Sequence, residues 1–223
     1  MKRTKFVKLL KKYRHAWVFG YILIYLPWFL LLERLVSTTS PYHVIYSRID
    51  DVIPFNEYFI VPYLLWFVFI AAVFLYFFFT DVPGFYRLAL MMFSGMTIFL
   101  IISTLYPNGL HLRPAVFIRE NGFMDMVRSL YKTDTPTNVF PSIHVFNSLT
   151  ACIAIYFNTN LRKHNIIRWS AYILGALIIL ATMFLKQHSV VDVTGAVIMT
   201  YTLYLFIYAP EKKPVKKPAR QPV

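Results

Sequence analysis

Lys186-Gln187-His188-Ser189-Val190-Val191-Asp192 sets three ionisable groups between one apolar run, Trp169 to Leu185, and a second that starts at Val190 and continues to Tyr208. Each run is close to the roughly 20 residues that a helix needs to cross a hydrocarbon core of about 30 Å. Two such runs joined by a charged heptapeptide read as a helical hairpin with its turn at a membrane surface. A helix beginning near His188 would put His188 and Asp192 four residues apart on one face. There the carboxylate can hold one imidazole nitrogen and leave the other free to attack. Ionisable groups beside hydrocarbon are costly, so their presence points to a site.

Four more apolar runs precede the hairpin: Ala16 to Leu32, Tyr58 to Phe79, Leu88 to Tyr106 and Val139 to Phe157. Hydrophobic residues make up 58% of the 223, above the roughly 45 to 50% of soluble domains. The expected fold is therefore all-α, a polytopic membrane bundle of six transmembrane helices over residues 16–209. A basic N-terminus, 1–15, and a Pro/Lys-rich tail, 210–223, flank it. Ala16 to Leu32 is too long for a signal-peptide core, and Glu33-Arg34 follows it in place of a small-residue cleavage site.

The net charge of +13 is explained by topology rather than by nucleic-acid binding, because the cations gather at the two ends and in one loop. Six spans put both termini on one side. The termini and the loops on that side hold 16 Lys and Arg, against 7 on the other. The excess assigns the termini to the cytoplasm of a multi-pass cell-membrane protein. The single Cys152 lies in an apolar run and reads as packing. Asp50 and Asp51 read as a solvated loop, as do His15, His43 and His164 as solvated side chains.

Three polar clusters then share the outer face: His111-Leu112-Arg113-Pro114, Pro141-Ser142-Ile143-His144, and the opening heptapeptide. Arg113 offers planar donors suited to phosphate. A helix starting at Pro141 with Ser142 makes an anion site at its N-terminus. His144, with Asn147 and Ser148, forms a polar stripe that should face the bundle interior. Two histidines and an aspartate in a basic pocket are what phosphoryl transfer through a covalent intermediate needs. His188 attacks phosphorus, Asp192 stabilises the imidazolium, and His144 protonates the leaving group and later activates water. Arg113 and Lys186 hold the phosphoryl oxygens. His111 is a further candidate by proximity to Arg113, and no metal or other cofactor is required.

PSIH, followed 44 positions after its histidine by HSVVD and preceded by RP, resembles the type 2 phosphatidic acid phosphatase superfamily, whose motifs read K-x6-RP, PSGH and SR-x5-H-x3-D. The resemblance implies His188 as nucleophile, His144 as acid and base, and Arg113 as a phosphate ligand. Tyr106 stands where the family has Lys, Ile143 where it has Gly, and Ala181-Thr182 where it has Ser-Arg. This reduced set is similar to the branch of inositol phosphorylceramide and sphingomyelin synthases. Tyr106 and Thr182 are candidate supporting hydrogen bonders. The expected activity is hydrolysis of a lipid phosphomonoester or diphosphate, with membrane lipids as partners. The alternatives are transfer of a phospho-headgroup between lipids, and a non-catalytic lipid-phosphate binder or transporter.

Overall fold

The computed structural model describes residues 11–36 and 41–209. A 3-10 segment, Arg14–Tyr21, runs into α1, Ile22–Leu35. There follow β1 (His43–Val44), α2 (Arg48–Val52), a 3-10 turn (Glu57–Phe59), α3 (Ile60–Thr80), α4 (Val82–Leu105) and β2 (Asn108–Gly109). The remainder comprises α5 (Gly122–Thr133), α6 (Ile143–Phe157), α7 (Thr159–Lys163), α8 (Asn165–Phe184) and α9 (Val190–Ile207). The chain is an all-α membrane bundle, and the short strands β1 and β2 lie in the connections that follow α1 and α4.

Six of these helices alternate in direction between two polar ends. At one end His15 Nε2 lies 3.0 Å from the carbonyl of Phe78, and Asn158 Nδ2 donates to Asp81 Oδ2 at 2.9 Å. At the other, three long connections interlock. β1 pairs in parallel with β2, Gly109 bridges to Thr137, the Asn56 amide donates to the Phe184 carbonyl, and Glu57 holds Asn121 and Arg119. The long polar segment after α4 is ordered because α5 is amphipathic. Asn121 caps it, and Met124 and Val127 are buried against Ile60, Tyr63, Ala181 and Leu185.

Among the described residues five helical stretches are long and apolar enough to cross a membrane: Arg14–Leu35, Glu57–Thr80, Val82–Leu105, Asn165–Phe184 and Val190–Ile207. The sixth expected span is only the 15-residue α6, about 22 Å long and short of the hydrocarbon thickness. Length and composition thus support five of the six expected spans. The run that begins at Val139 turns helical only at Ile143, since Asn108 Oδ1 binds the amides of Val139 and Phe140 and keeps them out of a helix. α6 is instead the central helix, packed on α3, α4, α8 and α9. Eight of its 15 residues are buried against four of 18 in α9, so α6 meets protein where α9 meets lipid. Asn147 and Ser148 do face the interior.

The boundary at Thr80 to Gly84 is a helix start as well as a turn. Asp81 Oδ1 accepts from the Gly84 amide, and Pro83 occupies the first turn, where its missing N–H costs nothing. Close helix contact is permitted by Gly95, where a Cβ would sit 2.1 Å from the Phe146 ring. Cys152 packs beside Gly175 with its thiol toward the Ala171 carbonyl. Two expectations are overturned: His15 is buried rather than solvated, and so is Asp50. In each case a distant partner, the end of α3 for His15 and the start of α9 for Asp50, replaces water.

Candidate active site

His188 sits in a tight loop rather than in a helix. α8 ends at Phe184, Lys186 takes a left-handed conformation (φ 52°), and the amides of Gln187 and His188 both donate to the Thr182 carbonyl, at 2.9 and 3.0 Å. Ser189 then caps α9. Its hydroxyl accepts from the Val191 amide, and Asp192 Oδ2 accepts from the Ser189 amide at 2.8 Å. This reciprocal capping box satisfies amides that a helix start leaves unpaired. The pairing expected of His188 and Asp192 is therefore made from outside the helix, with His188 Nδ1 3.4 Å from Asp192 Oδ2 and no aligned hydrogen bond between them. Asp192 is wholly buried and its Oδ1 has no partner among the described residues.

His144 lies in the first turn of α6. Ser142 is the N-cap, accepting from the Val145 amide, and its own amide donates to the Asp192 carbonyl at 3.2 Å. The starts of α6 and α9 are thereby tied together. The His144 ring packs between Tyr63 (centroids 4.6 Å apart) and Trp66 (4.4 Å), and its centroid is 5.7 Å from that of His188. Both histidines line one cavity of about 530 Å³, ample for a phosphate group and part of a lipid. Nδ1 of His188 is shut away against Asp192, which leaves Nε2 as the nitrogen available to the cavity.

The cavity has an aromatic wall that includes Tyr25, Phe29, Tyr63, Trp66, Phe67 and Phe99, and polar groups from Glu33, Asp134, Asn138 and Gln187. Leu30 of α1 and Phe67 of α3 line it while being 48% and 57% exposed. It thus opens sideways between two helices that both pack on α4. Among the described residues no Lys or Arg lines it.

The expected phosphate ligands lie elsewhere. Arg113 stacks on the Tyr131 ring, 4.3 Å from guanidinium carbon to centroid. It donates to the carbonyls of Tyr131 (3.1 Å) and Asp134 (2.6 Å), closing the C-terminal end of α5, and to Gln187 Oε1 at 2.5 Å. It stands one residue behind the cavity wall, and burial pulls its pKa below the ordinary range while Asp134 opposes the shift. Lys186 points the other way, donating to the carbonyls of Asp50 (2.6 Å) and Ile53. Burial lowers its pKa too, against the pull of Asp50 and Asp51. Ser142 is wholly buried as a cap. Tyr106 is 43% exposed and stacked on His43, away from the site. Thr182 contributes its carbonyl, while its hydroxyl bonds back to Ile179. His111 is exposed and near Tyr42.

Several residues of the site went unread in the sequence. Asp50 accepts from the Ser189 hydroxyl (2.6 Å) and the Val190 amide (2.8 Å), bracing the His188 loop from a connection more than 130 residues away. Its pairing with Ser47 in a capping box was legible as S-x-x-D; its second role was not. Asp134 accepts from the Tyr63 hydroxyl at 2.7 Å, and Glu33 from Thr135 at 2.6 Å and Asn138 at 2.9 Å. No local pattern marks these as neighbours of the histidines.

A family model, the PAP2 superfamily, matches residues 89–214, more than half of the chain and the whole stretch from Arg113 to Asp192. No curated protein and no solved structure matches. The resemblance read from RP, PSIH and HSVVD is thus borne out at the level of the superfamily, and the narrower likeness to sphingolipid synthases is not established. With two motif histidines converging on one cavity inside a membrane bundle, the chain belongs to the PAP2 superfamily, whose members are phosphatases or phosphotransferases.

Proposed function

We propose that this protein is a membrane lipid phosphatase that cleaves a phosphate ester through a phosphohistidine at His188. The observation that carries the reading is the meeting of His144 and His188, 44 residues apart in sequence, on one laterally open cavity. In the reacting geometry the 3.4 Å contact between Asp192 Oδ2 and Nδ1 of His188 tightens to hold the proton on Nδ1, so Nε2 presents its lone pair to phosphorus. As the N–P bond forms and the P–O bond breaks, His144 gives a proton to the departing lipid oxygen. His144 then takes a proton from water, which attacks phosphorus and frees His188. The gap between α1 and α3 lets a lipid phosphate enter from the bilayer with its chains still in hydrocarbon. The cation distribution supports a cavity at the outer face, with both termini cytoplasmic. A reporter fused after Val223 that reads outside would sink that orientation.

A second reading keeps the same intermediate and gives it to an alcohol instead of water. It is favoured by the size of the cavity, which exceeds what a phosphate and a water need, and by the lack of Lys or Arg among the described residues that line it. Purified protein in detergent, supplied with labelled phospholipid with and without ceramide, diacylglycerol or inositol, separates the two. Release of free phosphate supports hydrolysis, and a new labelled lipid supports transfer. Activity in either sense that survives in His188→Ala would overturn the covalent mechanism.

A further inference from the structure

A phosphoryl group on its way to His188 spreads negative charge over its oxygens, and some donor has to meet that charge as the N–P bond forms. No Lys or Arg among the described residues lines the cavity. Several of the donors that do are already committed, since Tyr63 donates to Asp134, Thr135 and Asn138 to Glu33, and Thr137 to the Val36 carbonyl. Gln187 still has an N–H to give. We propose that the side-chain amide of Gln187 donates to a phosphoryl oxygen during transfer, and that Arg113 is the positioning residue that orients and polarises this amide.

Gln187 immediately precedes His188, lines the same cavity and is 4% exposed. Its backbone amide is fixed on the Thr182 carbonyl, so the side chain leaves from the tight turn that presents the nucleophile. Arg113 Nη2 donates to Oε1 at 2.5 Å, and because only the oxygen can face a guanidinium, the orientation of the amide is settled. Arg113 does not line the cavity, whereas Asp134, on the side of Nε2, does. Asp134 Oδ2 lies 3.5 Å from Nε2, at the outer limit of a hydrogen bond. Nε2 carries two hydrogens, and the second has no partner among the described residues.

Arg113 supplies the charge that the cavity wall lacks. A hydrogen bond from a cation to Oε1 draws electron density out of the amide and strengthens its N–H groups as donors, and this polarisation is felt more in a low dielectric than in water. Asp134 does not compete strongly for the amide, because its charge acts on the same guanidinium and its Oδ2 holds the Tyr63 hydroxyl at 2.7 Å. The cation serves phosphate through one intervening side chain. This role of Gln187 rests on the phosphohistidine reading of the site, and binding of a phosphate analogue tests it apart from turnover.

Full-length protein in detergent is compared as wild type, Gln187→Met, Arg113→Lys and the double variant. Methionine keeps the length and loses the donor, while Arg113 retains its two carbonyl partners, so melting should change little. On the phospholipid that wild type turns over, Gln187→Met should lower kcat about 10²-fold, the usual loss for one oxyanion donor, with KM within about three-fold. Orthovanadate, titrated calorimetrically, should bind about ten-fold more weakly to the same variant. Arg113→Lys should lower kcat about ten-fold alone and less than about two-fold on the Gln187→Met background, because residues that act as one unit are not additive. Gln187→Glu, which keeps the acceptor for Arg113 and removes the N–H, takes the place of a Gln187→Met that does not fold, with the same expected losses. A folded Gln187 variant with kcat within two-fold of wild type overturns the contact and leaves the histidine reading standing. Equal losses from Arg113→Lys on both backgrounds overturn the positioning role. Wild type that turns over no phospholipid removes the histidine reading, and vanadate then decides: weaker binding in Gln187→Met keeps the amide contact, and equal binding, or none to either, overturns it.

Discussion

Asp50 Oδ2 accepts a hydrogen bond from the Ser189 hydroxyl at 2.6 Å, joining α2 to the residue that follows His188. The other oxygen of the same carboxylate takes the Val190 amide, and the Asp50 carbonyl takes the Lys186 ammonium. The His188 loop is thus held from outside by one buried acid. It is held from inside by the Thr182 carbonyl.

Replacing that acid by its amide, Asp50→Asn, keeps the volume and one acceptor oxygen while removing the charge. Charge-assisted hydrogen bonds contribute about 1.5 to 3 kcal/mol each. Melting in detergent should fall by an equivalent amount, and kcat by about ten-fold through a loosened His188, with KM little changed. Wild-type kcat together with a lowered melting temperature would make Asp50 structural only.

Asp192→Asn preserves the shape and the acceptor for the Ser189 amide, so the cap of α9 should survive. Without the carboxylate beside Nδ1, the imidazolium and the tautomer that exposes Nε2 lose their support. Turnover should drop by about 10²-fold or more. A rate within two-fold of wild type would show that the 3.4 Å contact with His188 has no part in the reaction.

Lys186→Met separates two roles for one cation. Its ammonium is spent on two backbone carbonyls facing away from the cavity. The substitution should therefore cost stability, roughly 1 to 3 kcal/mol for carbonyls left without their donor, and leave KM for a lipid phosphate within about two-fold. A ten-fold rise in KM at unchanged melting temperature would return Lys186 to the phosphate site.

Gly95→Ala tests the close packing of α4 on α6. The added Cβ would lie 2.1 Å from the Phe146 ring, which is itself fully buried. Overpacking of this kind costs about 1 to 3 kcal/mol, and since α6 carries His144, activity should decline with the melting temperature. Unchanged melting would mean that the Phe146 ring has space to move.

Sequence by itself determined the apolar helices, their order and the two motif histidines, because each is written locally: apolar runs near twenty residues long, and the short motifs PSIH and HSVVD. Only the tertiary structure decided that Arg113 and Lys186 bind backbone carbonyls, that Asp50 is buried beneath the His188 loop, and that Glu33 and Asp134 line the cavity. A carbonyl acceptor has no residue identity to read, and a carboxyl group looks the same in a solvated loop as in a wall closed by segments a hundred residues away. The length of α6 was decided the same way, by Asn108 holding the amides of Val139 and Phe140 in a conformation that an apolar run alone does not reveal.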